Sequence, residues 1–421
     1  MNIRRLLIAF AGTALLATVI AAPTLAVASL APTPTGGVFE RIVDDDGSAG
    51  LTDQGQPDCF SGNTAAPFYT SIAAAVAASA SGDDIFVCPG FYNESVSITT
   101  TVQIYGPYMG MSAFGCPFRS GQATVTAASG FAFSLAANNI VIDGLRFAGS
   151  PGGGMSTSPS FSGFQVWDNV FSNNGGAGLS LASANASTSY VNENCFSDNN
   201  NGGKGDGIKQ TATGLYNATL DHNTFKKHRS VAIELDGTAG GITGINITNN
   251  MSRNDVSFAS LKTVGNVLLD ANDIGSKDTY NGISGAGTAI KIFGASSNVD
   301  VTNSKIHANY SNGIEVNDTA GGSDLTMNKI TLVDNGISVA SSTASAANVT
   351  FNLIKNITNT GLKAGASTTG LTFDNNKVGF SNTACQDLST GVGTEGTANT
   401  WTNNHRKAFA PDVPLGICNH P

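Results

Sequence analysis

In a chain with only 12% charged residues, acids and bases that fall on one line are the first candidates for chemistry. Lys209 and Glu234 occupy equivalent positions in successive repeats, and Asp236 follows Glu234 by two residues. On a strand, the two carboxylates would point the same way, about 7 Å apart. Such a pair can hold Ca²⁺ against a uronate, and a neighbouring lysine can act as a base if its pKa is depressed. The surrounding column argues for something plainer. It reads Ser180, Lys209, Glu234, Ala259, Lys291, Glu315, Ser338 and Lys363, placing Lys209 against Glu234 and Lys291 against Glu315. That is the pattern of a cross-strand ion-pair ladder, in which each pair contributes roughly a few tenths of a kcal/mol. Glu234 and Glu315 would be about 14 Å apart, outside the roughly 5–9.5 Å of a glycosidase carboxylate pair.

Two further groups can contact a ligand. The run Lys226-Lys227-His228-Arg229 is the densest positive patch. Lys226, Lys227 and Arg229 could clamp a polyanionic sugar, although four consecutive residues around a turn spread to both sides of it. Trp167 points outward if Val166 points inward, which offers either a stacking platform for a sugar or a side chain packed under a loop. The histidines have no metal-ligand spacing, and no resident metal or cofactor is expected. Ca²⁺ enters only with a lyase reading.

These residues sit on a repeated phrase of alternating apolar residues, an Asn and a Gly-rich turn. The phrase recurs every 23 to 32 residues from about residue 140. Its key position is Leu145, Asn169, Asn194, Asn223, Asn249, Asn272, Ser304, Asn328, Asn352, Asn376 and Asn404. A fixed period in this range means a solenoid whose repeats stack on one continuous core. The unit is too short and too rich in Gly, Asn and β-branched residues to be a helix pair. Asn suits a corner because it tolerates left-handed backbone, and stacked amides can bond along the axis. Insertions fall at about 198–206 and 275–288.

Residues 1–28 read as a signal peptide: Arg4 and Arg5, an apolar run from Leu6 to Ile20, then Ala26-Val27-Ala28. A secreted or extracellular protein is expected, with no membrane span once the signal is removed. The net charge of −9 becomes −11 after the two signal arginines are lost, which argues against nucleic acid as a partner. A monomer is expected. Residues 29–65 form a linker and irregular segment, 66–380 the solenoid, and 381–421 its last coil and C-terminal cap. A capping helix is expected over 70–81, with Ile72 and Val76 on one face. Among six cysteines, Cys59 would pair with Cys88 and Cys385 with Cys418. Cys116 has no evident partner, and Cys195 reads as a buried free thiol at a core position.

The stretch Ser71-Ile-Ala-Ala-Ala-Val, followed by Gly82-Asp-Asp-Ile-Phe-Val-Cys-Pro-Gly-Phe-Tyr-Asn-Glu94 and Val102-Gln-Ile-Tyr-Gly106, resembles the opening coil of the pectin-lyase-like superfamily. With the Asn phrases, the resemblance spans roughly residues 66–409. It implies an all-β fold: a right-handed parallel β-helix of three sheets and roughly a dozen coils. Family catalytic motifs do not carry over. The sole Gln-Asp, Gln386-Asp387, lies in the expected C-terminal cap; Gly-His-Gly, Asp-Pro-His-Glu and the arginine signatures are absent. The expectation is therefore a non-catalytic secreted or surface-associated β-helix that binds polysaccharide along its polar face. The alternative is a lyase or hydrolase acting on a uronic-acid polymer through Lys209, Glu234 and Asp236.

Overall fold

The computed structural model describes residues 39–45, 66–199, 205–210, 214–275, 286–307, 309–318, 321–340, 347–407 and 410–418. The expected signal peptide, Cys59, most of the 29–65 segment and most of both insertions lie outside the described residues.

Each coil gives one short strand to each of three parallel sheets. Gln165–Trp167 lies in sheet 1, Val170–Ser172 in sheet 2 and Leu179–Ser180 in sheet 3 before the chain returns to sheet 1 at Ser189–Asn192. Among the described residues, sheets 1, 2 and 3 hold 15, 13 and 13 strands, so the right-handed β-helix has about thirteen coils. Inward residues alternate with outward ones and pair with themselves from coil to coil. In sheet 2, Phe147, Phe171, Phe196 and Phe225 are in register, their rings stacked 4.8–5.1 Å apart. Each is fully buried, worth about 1.5–3 kcal/mol against exposure.

The capping helix is shorter than expected, Ile72–Ala78. Ser71 caps it by accepting from Ala74 N at 3.2 Å, and Glu94 accepts from Ile72 N and Ala73 N at 2.8 and 2.9 Å. These acceptors satisfy the free N–H groups of the first turn. At the other end Cys385–Cys418 forms as expected, with Cα atoms 6.0 Å apart. Cys88 is disulfide-bonded as well.

Coils are joined at the corner between sheets 1 and 2 by an asparagine ladder. Asn194 is typical: its Oδ1 accepts from Asn169 N at 2.9 Å and Asn169 Nδ2 at 3.2 Å, while its Nδ2 donates to Val166 O at 2.8 Å. The ladder runs through Asn169, Asn194, Asn223, Asn250, Asn272, Ser304, Asn328, Asn352, Asn376 and Asn404. Two expectations change here. Asn250, not Asn249, is the rung in its coil. The left-handed residue is also not the rung but the one before it: Asp168, Glu193, His222, Asn249, Asn303 and Asn375 have φ between 49° and 58°. The turn thus divides its two needs between adjacent positions.

A second buried polar file occupies the corner between sheets 2 and 3. Asn174 Nδ2 donates to Asn199 Oδ1 at 2.9 Å, Asn199 Nδ2 meets His228 Nε2 at 3.4 Å, and His228 Nδ1 is bonded to Asp255 Oδ1 at 2.8 Å.

Removing one fully buried rung tests the ladder. Asn223→Ala deletes bonds to Asn194 N (3.0 Å), Val191 O (2.7 Å) and Asn250 Oδ1 (3.1 Å), and should cost about 2–4 kcal/mol in urea unfolding. Asn303→Ala, at an exposed left-handed position, should cost only about 1 kcal/mol. Equal costs would refute the assignment of the ladder as the main inter-coil tie.

Candidate functional site

The predicted cluster assembles on sheet 3, but as closed ion pairs. Lys209 Nζ lies 2.7 Å from Glu234 Oε2 and 3.2 Å from Asp206 Oδ2. Asp236 Oδ2 is 3.0 Å from Lys262 Nζ, and its Oδ1 accepts from Thr238 N at 2.9 Å. Glu234 and Asp236 therefore face different cations rather than a shared ligand site. Burial alone would lower the Lys209 pKa, but hydrogen bonds and charge from Glu234 and Asp206 outweigh it and raise it. That direction is opposite to the depression a general base would need. Burial raises the pKa of Asp206 despite Lys209, while hydrogen bonds from Thr238 and Lys262 lower that of Asp236 despite burial. Lys291 and Glu315 repeat the ladder at 3.6 Å. One column member is corrected: Ser260, not Ala259, pairs with Glu234 and Lys291, and Ala259 points into the core.

The basic run is dispersed by its turn. Lys226 ends a sheet 2 strand, Lys227 is left-handed (φ 63°), His228 is buried in the second polar file and Arg229 is exposed. Trp167 points away from the core as expected, yet is only 1% exposed, so its ring offers no face to a sugar.

A strap over residues 106–122 lies across this corner and was not foreseen. Gly110 N donates to Asp143 Oδ1 at 3.2 Å, Ala113 N to Glu193 O at 2.9 Å and Gly115 N to Thr224 Oγ1 at 2.7 Å. Arg119 Nη1 reaches Asp168 O at 2.6 Å, and its guanidinium covers the Tyr108 ring at 4.7 Å. The strap thus crosses successive coils. A Cβ at Gly144 (φ 76°) would sit 2.2 Å from Met109 N, so only glycine fits beneath it.

The strap is fastened by a disulfide between Cys116 and Cys195, Cα atoms 5.1 Å apart. This corrects the reading of Cys195 as a core thiol. Phe196 is the inward residue of that strand, so Cys195 points outward to the strap.

Beneath the strap the carboxyls of Asp143 and Asp168 are buried and interact electrostatically. Burial first, then the charge of Asp168, pushes Asp143 up to about 8. Burial, then the charge of Glu193, pushes Asp168 up to about 7. Both acids lie within the repeat phrases, but in isolation they resemble ordinary corner residues. Only the non-repeating strap makes them buried.

Among the described residues the one group of three metal-type ligands is Cys385, Asp412 and Cys418. Its cysteines are joined to each other, so the group is not a metal centre.

The buried acids predict an alkaline loss of stability. Their folded pKa values lie above the ordinary 3.8, so the folded state binds more protons than the unfolded chain between about pH 4 and 8. Their stabilising contribution is complete below pH 4 and disappears as pH rises through 7 and 8. The melting temperature should fall across this window, and less steeply in Asp143→Asn. Parallel pH profiles for the two proteins would contradict the raised pKa of Asp143.

A family model described as "Right handed beta helix region" matches residues 206–378. A sequence search of curated proteins returned no match. Among solved structures, the catalytic unit of the thermostable GH87 alpha-1,3-glucanase from Streptomyces thermodiastaticus strain HF3-3 aligns with a TM-score of 0.54 at 14% identity, covering 91% of this chain and 71% of that one. Pectate lyase Pel9A aligns with a TM-score of 0.34 at 14% identity, covering 91% and 79%. The first likeness is one of fold. The chain is a right-handed parallel β-helix repeat protein with the pectin-lyase-like fold.

Proposed function

We propose that the protein is an extracellular or surface-associated β-helix that binds polysaccharide along its polar outer surface without cleaving it. The observation carrying this reading is the closed state of the sheet 3 cluster. Glu234 and Asp236 are each matched to a lysine, at 2.7 and 3.0 Å, and Lys209 is held as a cation. The glucanase with the same fold acts on a polysaccharide, which supports a glycan ligand here by analogy alone. The disulfides support an oxidising, extracellular setting.

A second reading, hydrolysis, is favoured by one feature: the Asp143–Asp168 pair, with pKa values suited to a carboxylic acid donor at neutral pH. One argument weighs against it: both acids are at most 2% exposed.

Native gels cast with polygalacturonate or a neutral α-glucan, with product analysis in the presence of Ca²⁺, test the choice. Retarded migration without new reducing ends or unsaturated sugars is expected. Products that disappear in Asp143→Asn would replace binding by hydrolysis, and products that disappear in Glu234→Gln would restore the sheet 3 site.

A further inference from the structure

We infer that the outer face of sheet 2 in the last five coils is a binding groove for a linear, carboxylate-bearing polysaccharide. This rests on the polysaccharide reading above and names its face and ligand class. The strands are Lys305–His307, Lys329–Thr331, Leu353–Lys355, Lys377–Gly379 and His405–Arg406. Their outward residues include Lys305, Lys329, Lys355, Lys377 and His405, all exposed, with exposed Lys407 directly after. No acid occupies an outward position in these strands. None of the five lysines is ion-paired, unlike Lys209, Lys262 and Lys291 on sheet 3. An acidic chain, net −9, has thus gathered unneutralised cations on one side of one sheet. Lys305 and Lys329 are register partners on adjacent strands, spaced at about 4.8 Å; Leu353 separates them from Lys377 in that column, and Lys355 stands in the neighbouring column in register with Thr331.

The corners flanking this face carry a second, independent signal. Met327 and Phe351 stand on the corner toward sheet 1, Leu332 and Phe380 on the corner toward sheet 3. All four are left-handed, with φ of 57°, 57°, 59° and 46°, and all are exposed, at 55%, 57%, 57% and 61%. Other coils fill these positions with residues such as Asn303, Asn375 and Asn356, which tolerate this backbone. A bulky apolar residue here is strained and wet at once, and neither condition benefits the fold. Strain of this kind marks a functional surface. Lys407 Nζ lies over the Phe380 ring at 4.3 Å, and a cleft of about 840 Å³ opens between Phe380, Lys407, Asn356 and Ala410. Aromatic rims suit the apolar faces of sugar rings, and cations between them suit carboxylates. A bilayer surface would favour the inverse arrangement, with apolar residues central and cations peripheral.

The test uses the full chain on gels containing polygalacturonate, dextran sulfate or neutral dextran, and in a pull-down with anionic phospholipid vesicles. Retention by polygalacturonate, weakened by salt, is expected, with at least about a tenfold loss in K329E/K355E/K377E. Phe351→Asn and Phe380→Asn should melt higher than the parent yet bind more weakly, a combination that a structural role for these rings would not produce. Retention by dextran sulfate alone would overturn the carboxylate assignment. Vesicle binding without polymer binding would overturn the glycan assignment. If the triple variant binds a polymer as well as the parent, this face is wrong while the polysaccharide reading stands. If no polymer retains the parent, that reading fails and this inference fails with it.

Discussion

The amide-to-amide bond between one coil and the next is the constraint on which the rest depends. At the corner between sheets 1 and 2 the chain turns sharply, and the rung residue's N–H must find an acceptor along the axis rather than across a strand. The Asn Oδ1 of the following coil supplies it, at 2.9 Å for Leu145 and 3.0 Å for Asn194 and Asn352. A buried N–H left without that partner would cost about 1–3 kcal/mol per coil. Because each Asn bonds to the one above and below, the ladder also fixes how coils are rotated relative to one another. Residues at equivalent positions then form straight columns: phenylalanines inside sheet 2 and ion pairs outside sheet 3.

Columns of this kind made the architecture legible in the sequence. Spacing identified the solenoid, its Asn corner and the Lys209–Glu234 and Lys291–Glu315 pairs. The misses are mostly displacements of one residue, and they share a cause. A strand of three residues offers too little alternation to fix which side points in. In Thr248-Asn249-Asn250, either asparagine satisfies the pattern, and only the left-handed turn at Asn249 (φ 54°) separates them. In Cys195-Phe196, both residues are apolar, so the parity that sends the cysteine outward is hidden. Ala259 and Ser260 are exchanged for the same reason.

The strap was illegible for a different reason. It belongs to no repeat, and its contacts join segments far apart in sequence, as Cys116 and Cys195 are, 79 residues apart. Periodicity places residues that recur; it says nothing about an excursion that lies on the outside of the coils. Burial of Trp167, Asp143 and Asp168 is a property of the strap as much as of the coils that carry them. For the same reason the pKa values of the two acids could not have been anticipated from their own positions.

The three faces of the helix therefore differ in how their charges are settled. Under the strap on the sheet 1 side, burial raises the pKa of the acids; on sheet 3, neighbouring lysines pair with them. On sheet 2 toward the C-terminus the lysines are not settled at all, and the corners beside them hold Met327, Leu332, Phe351 and Phe380 in backbone that asparagine occupies elsewhere. A left-handed conformation costs about 1–2 kcal/mol for an ordinary L-residue, and at Met327 and Phe351 the ladder tolerates it because the rung that follows remains intact: Asn328 N still donates to Asn352 Oδ1 at 2.9 Å, and Asn352 N to Asn376 Oδ1 at 3.0 Å. The inter-coil bonds thus leave the outer corner residue free to vary. A solenoid tied in this way can accept local strain on its surface without losing register, and this property allows one face to be specialised while the fold stays the same.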